Sequence, residues 1–155
     1  EMRMSAEEIE NLYGEPNYID RWYTESGMHG DSGWYIFYYY DFGSIAFVSN
    51  SGNIYADGYA AHINIYDENF LAPMDVRVGD SQEKVIDALG LDLEQLNASR
   101  IYLYENGEQC GIVTFGDGGY MMYVHIAADE RFHYIVVYSI FEGKIHEIEL
   151  FDEFH

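Results

Sequence analysis

A chain of 155 residues with 28 acidic side chains against 7 basic ones carries a formal charge of −21. That balance excludes a surface built to neutralise phosphates, which needs clustered Lys and Arg: Arg3, Arg21, Arg77, Lys84, Arg100, Arg131 and Lys144 are scattered, so neither nucleic acid nor an anionic membrane is an expected partner. Hydrophobic residues at 48% and aromatics at 17% suffice for a core, and the length fits one domain or two small units sharing one.

The first predicted element is a helix opened by Ser5. Glu8 three residues on completes a capping box, and Gly14 followed by Pro16 supplies the stop. Ile9, Leu12 and Tyr13, spaced i, i+3, i+4, are expected to form one buried stripe. Strands follow over residues 34–41, 44–49 and 60–67, with weaker candidates near Trp22 and Val76. The separators are turn chemistry: Phe42-Gly43, Asn50-Ser51-Gly52-Asn53 and Asp57-Gly58.

A second helix is predicted from Asp80 or Ser81 to Gly90, 76 positions after the first. It repeats the opening serine, the closing glycine and the apolar triplet, here Val85, Ala88 and Leu89. Residues 92–96 add a short helical turn. Five further strands are expected over 101–104, 111–115, 120–127, 134–140 and 145–151, separated by Asn106-Gly107, Asp117-Gly118-Gly119 and Glu142-Gly143. The 76-residue offset holds roughly through these strands and marks two copies of one supersecondary unit. The expected fold is therefore α+β: two tandem helix-plus-antiparallel-meander units, residues 1–75 and 76–155, sharing a broad sheet with helices on one face.

Period-2 alternation then predicts which side chains face away from the helices. Ile63 and Ile65 oppose His62, Asn64 and Tyr66. Met122 and Val124 oppose Tyr123 and His125, and Ile101 and Leu103 oppose Tyr102 and Tyr104. Tyr134 and Tyr138 fall opposite Ile135 and Val137, while residues 34–40 are aromatic on both sides and leave their facing open. The expected partner-binding surface is thus Tyr102, Tyr104, Tyr123, His125, Tyr134 and Tyr138, extended by His62 and Tyr66. Rigid aromatics dominate protein-binding surfaces, although cross-strand aromatic pairs also serve stability alone.

Signatures of chemistry are missing. No nucleophile elbow, phosphate loop or dinucleotide fingerprint occurs. The six histidines lack ligand spacing, so no metal site, catalytic residue or cofactor is expected. Cys110 stands alone and reads as a small packed hydrophobe, and Asn97-Ala98-Ser99 is an isolated sequon. No apolar run is long enough to span a membrane. A chain that opens on Glu1 fits removal of a signal peptide or lipoprotein leader, with a lipid anchor outside the chain, as well as it fits a trimmed piece.

The run Val76-Arg77-Val78-Gly79-Asp80-Ser81-Gln82-Glu83-Lys84-Val85-Ile86-Asp87-Ala88-Leu89-Gly90 has the form of an apolar strand end, Gly, a capping Asp/Ser, then a helix closed by Leu-Gly. With the tandem layout it resembles the β-lactamase-inhibitor-protein-like fold, shared with small outer-membrane assembly lipoproteins. The resemblance implies a non-enzymatic, extracytoplasmic protein-binding module, secreted or held at the cell surface. The inhibitors' disulfides have no counterpart beside a single cysteine, and no contact residue is carried over. Two alternatives come from other classes: a small hydrolase-type enzyme pairing His125 with Glu147 or Glu149, and an acidic immunity or mimic protein that neutralises a basic target.

Overall fold

The computed structural model describes residues 3–25, 32–91, 100–105, 107–116, 121–127 and 133–153. The described residues form nine strands: β1 (Tyr18–Thr24), β2 (Gly33–Tyr40), β3 (Gly43–Ser49), β4 (Tyr59–Ile65), β5 (Arg100–Glu105), β6 (Glu108–Gly116), β7 (Met121–Ala127), β8 (His133–Phe141) and β9 (Lys144–Glu153). The helices among them are α1 (Ala6–Tyr13), α2 (Ile54–Asp57) and α3 (Gln82–Ala88), with a 3-10 turn at Pro73–Asp75. None of the described helices is long and apolar enough to cross a membrane.

The two helix-plus-meander units expected from the repeat do not form. All nine strands make one antiparallel sheet in the order β1-β2-β3-β4-β9-β8-β7-β6-β5. Its halves are fused where β4 pairs with the last strand, His62 to Phe151 and Ile65 to Ile148. The eight spacings of such a sheet span about 38 Å, at roughly 4.8 Å each, whereas the eight residues of α1 make a rod of about 12 Å. Helices this short cannot define units of their own; strand pairing carries the architecture.

Local rules still set the helix ends. Ser5 Oγ accepts the Glu8 amide, while Glu8 accepts the Ser5 amide at 2.8 Å, which lowers the Glu8 pKa through the hydrogen bonds from Ser5. Gly14 closes α1 at φ 79° and sends its amide to Glu10 O. The stripes, however, differ from the expected ones. Ala6 and Ile9 are buried in α1 and Val85 and Ile86 in α3, whereas Leu12 and Tyr13 are exposed, as is Ala88, with Leu89 only half-buried. Tyr13 instead leans on the rings of Tyr40, Phe42 and Phe70.

The core has two clusters on one face of the sheet. The first gathers Ala6, Ile9 and Ile54 against Ile36, Tyr38, Ile45 and Phe47. The second gathers Val76, Val85 and Ile86 against Ile65, Val113, Val124, Val136, Tyr138 and Ile148. Ile63 packs against both. The two buried phenols of these clusters are satisfied within this layer: Tyr38 donates to Glu10 Oε1 at 2.8 Å, an oxygen that also accepts from exposed Tyr55 at 2.6 Å, and Tyr138 donates to Pro73 O at 3.4 Å. Burial is the main cause that pushes the Tyr38 and Tyr138 phenols well above the usual range. Burial likewise raises half-buried Tyr40 to about 12.

The expected strand near Val76 is only an isolated bridge to Ala72. The helical turn at 92–96 and the sequon at 97–99 lie outside the described residues.

Candidate functional site

The second face of the sheet is read from the pairing registers, because directly opposed residues share a face. One row runs Ile112, His125, Ile135, Phe151, His62, Ala46, Phe37, Asp20 across the strands. The adjacent row runs Thr114, Tyr123, Val137, Glu149, Asn64, Ser44, Tyr39, Tyr18.

Three neighbourhoods result. At the β5 end, Tyr102 and Tyr104 are exposed, with a bulge between Leu103 and Tyr104; Tyr123 and His125, on β7 beyond the intervening β6, are half-buried. At the β4–β9 seam, His62 Nε2 lies 3.1 Å from Glu149 Oε2 and the imidazole stacks on Phe151, centroids 4.2 Å apart. Asn64 Nδ2 donates to the Tyr66 hydroxyl at 2.8 Å. Burial and then the Glu147 carboxylate raise the Tyr66 pKa.

The third neighbourhood is an aromatic ladder on β1 and β2, where alternation sets Tyr18, Asp20 and Trp22 beside Tyr39, Phe37 and Tyr35. Trp22 stacks on Tyr35 at 5.2 Å and on Phe37 at 5.7 Å, the latter with planes only 6° apart. Tyr39 continues the stack from Phe37 and meets Tyr18 at 5.7 Å. Tyr18 is 61% exposed and Trp22 45%. Flat rings locked against one another present apolar area at little further entropic cost.

Sequence-predicted residues therefore divide. Tyr102, Tyr104, Tyr123, His125, His62 and Tyr66 do fall on the second face or at its border. Tyr138 and Tyr134 do not: Tyr138 is fully buried in the core and Tyr134 packs against the same cluster. The reason is that β8 is apolar on both sides, so polar–apolar alternation gives no phase there. Pairing does, since Tyr138 lies opposite Met122 and Ile148, both core residues. The correctly placed residues also form two groups rather than one. Three strand spacings, about 14 Å, separate β4 from β7, and Ile135 and Phe151 fill the row between His125 and His62.

The ladder was missed for two reasons. Residues 34–40 are aromatic at nearly every position, and β1 mixes Asp20 and Arg21 into its centre. Aligning Tyr18, Asp20 and Trp22 antiparallel to Tyr35, Phe37 and Tyr39 was the signal available.

His125 and Glu149 are separated by the whole of β8, and Glu149 is instead engaged by His62. Among the described residues, no group of three or more His, Cys, Asp or Glu side chains is placed to hold a metal ion. An open depression of about 450 Å³ lined by Tyr66, Val78, Phe141, Lys144 and His146 lies by the β8–β9 turn. Comparison with family models, curated proteins and solved structures finds no match to this chain.

Proposed function

We propose that this chain is a non-enzymatic protein-binding module whose partner sits on the second face of the sheet, centred on the Tyr18–Trp22–Phe37–Tyr39 ladder. The observation that carries the reading is the ladder itself: pre-stacked aromatics, partly exposed at the end of the sheet. Exposed aromatic area of this kind is costly for a protein that touches nothing, and Trp and Tyr supply most interface hot spots. The formal charge of −21 favours a basic partner, whose approach it accelerates.

The binding reading is preferred here to an enzyme that pairs His125 with Glu147 or Glu149, because Glu149 is engaged by His62 and a general base works within hydrogen-bond distance of its partner. The experiment is affinity capture with the intact chain and with Trp22→Ala. Trp22 packs on the sheet surface rather than within either core cluster, so the variant keeps its fold. It is expected to lose about 1–3 kcal/mol of binding, read as partner eluting at lower salt or missing altogether. A Trp22→Ala chain that retains its partner at wild-type affinity refutes the placement of the site.

A further inference from the structure

We infer that the outer edge of β1 pairs with an extended, Lys- or Arg-bearing segment of the partner, which joins the sheet as an additional strand; this rests on the binding-module reading above. Among the described strands, β1 ends the sheet on its side. It runs in unbroken register with β2 for seven residues, Tyr18↔Tyr39 to Thr24↔Gly33. It contains neither proline nor lysine, and six of its seven residues are exposed. Long edges of this kind are pairing templates, and proteins ordinarily blunt them with proline, lysine or bulges.

This edge has a different guard. Asp20 Oδ1 accepts the Arg21 amide at 2.9 Å. That bond marks Arg21, and with it Ile19 and Tyr23, as the residues whose amide and carbonyl point away from β2. The Asn17 amide, bonded to Tyr39 O at 2.8 Å, fits the same phase. An incoming strand offers its own carbonyl to the Arg21 amide and displaces the Asp20 carboxylate, which is then left beside the newcomer. A freed carboxylate in that position is matched by a cation.

The surrounding charge has the same sign. Glu15 precedes the strand, Glu25 follows it, and Asp41 is held next to it by Asn17 Nδ2 at 2.7 Å. The one cation on β1, Arg21, projects to the other face, where its charge acts on Tyr55. Trp22 and Tyr18 on one face and Tyr23 on the other supply rings over which Lys or Arg side chains can lie. A second copy of this chain is the other occupant an edge invites. Two chains of −21 repel, and antiparallel pairing centred on β1 would set Arg21 against Arg21.

The test is an NMR titration of the intact chain with an octapeptide of alternating Lys and Val. Saturable shifts and slowed exchange at the Ile19, Arg21 and Tyr23 amides are expected. A Glu–Val octapeptide, and a Lys–Val octapeptide N-methylated at alternate backbone nitrogens, should each bind at least about tenfold more weakly. Asp20→Asn keeps the acceptor and drops the charge, and should weaken the Lys–Val peptide about three- to tenfold. Equal binding by the N-methylated peptide, shifts confined to other strands, or no binding at about 1 mM overturns the edge inference. None of these outcomes touches the second-face reading, which stands or falls with Trp22→Ala and the native partner.

Discussion

The buried phenols make alkaline stability a direct test of the core. Tyr38 and Tyr138 are 1% and 0% exposed, and burial holds both protonated in the folded chain well above pH 10. In the unfolded chain they ionise near pH 10. Their contribution to stability is therefore fully present below pH 10. It is lost as pH rises beyond that, because only the unfolded chain then releases the protons. The loss is about 1.4 kcal/mol per pH unit for each such phenol. At pH 11 this amounts to about 1.4 kcal/mol at Tyr138 and at most the same at Tyr38. The Tyr38 share is the smaller, because its hydroxyl is shared with exposed Tyr55 at 3.1 Å. The pair thus accounts for about 2–3 kcal/mol of a total that is ordinarily about 5–15 kcal/mol. Urea unfolding at pH 9 and pH 11 should show this loss in the wild type. A Tyr38→Phe/Tyr138→Phe chain should lose less by that same 2–3 kcal/mol. Growing self-repulsion of the acidic chain is common to both and cancels in the comparison. Parallel losses in the two chains would refute the assignment of these phenols to the core.

Three further substitutions probe other joints. Gly43→Ala sets a Cβ 1.9 Å from Asn64 O at a residue whose φ is 149°, so thermal unfolding should report a loss of about 3 kcal/mol or more; an unchanged Tm contradicts the β3–β4 pairing. Arg3→Ala strips the ion pair from Asp152, whose side chain is only 2% exposed, across a 2.6 Å contact, and should cost about 2–4 kcal/mol in urea unfolding. Ser5→Ala removes half of the α1 capping box and should cost about 1 kcal/mol, read as a lower urea midpoint at an unchanged slope.

Much of the sheet was legible because its signals are local. Glycine-bearing turns such as Phe42-Gly43 and Glu142-Gly143 bound the hairpins, and the strands between them fall within a few residues of their expected places. The capping box at Ser5 and the start of α3 were legible for the same reason. What failed depends on partners distant in sequence. The pairing of β4 with β9 joins residues 87 apart at His62 and Glu149, and nothing in either strand names the other. Leu12 and Tyr13 continue the helical stripe in sequence, but the buried residues that α1 sets against the sheet are Ala6 and Ile9. The phase of β8 and the facing of the 34–40 run were hidden for one reason: both faces carry large apolar side chains, so only the neighbouring strand decides which one is buried. Of the site, the scattered Tyr and His residues of the second face were found by alternation. The ladder that concentrates the aromatic area was not, because it exists only once β1 and β2 pair.

The most direct measurement is site-specific photocrosslinking from the second face. A benzophenone side chain at Tyr18, on the ladder, is compared with one at Glu83, an exposed residue of α3. A saturable crosslink to a protein is expected from position 18 only, abolished by excess wild-type chain and not by excess Trp22→Ala. Equal crosslinking from both positions, or equal competition by the two chains, would contradict it.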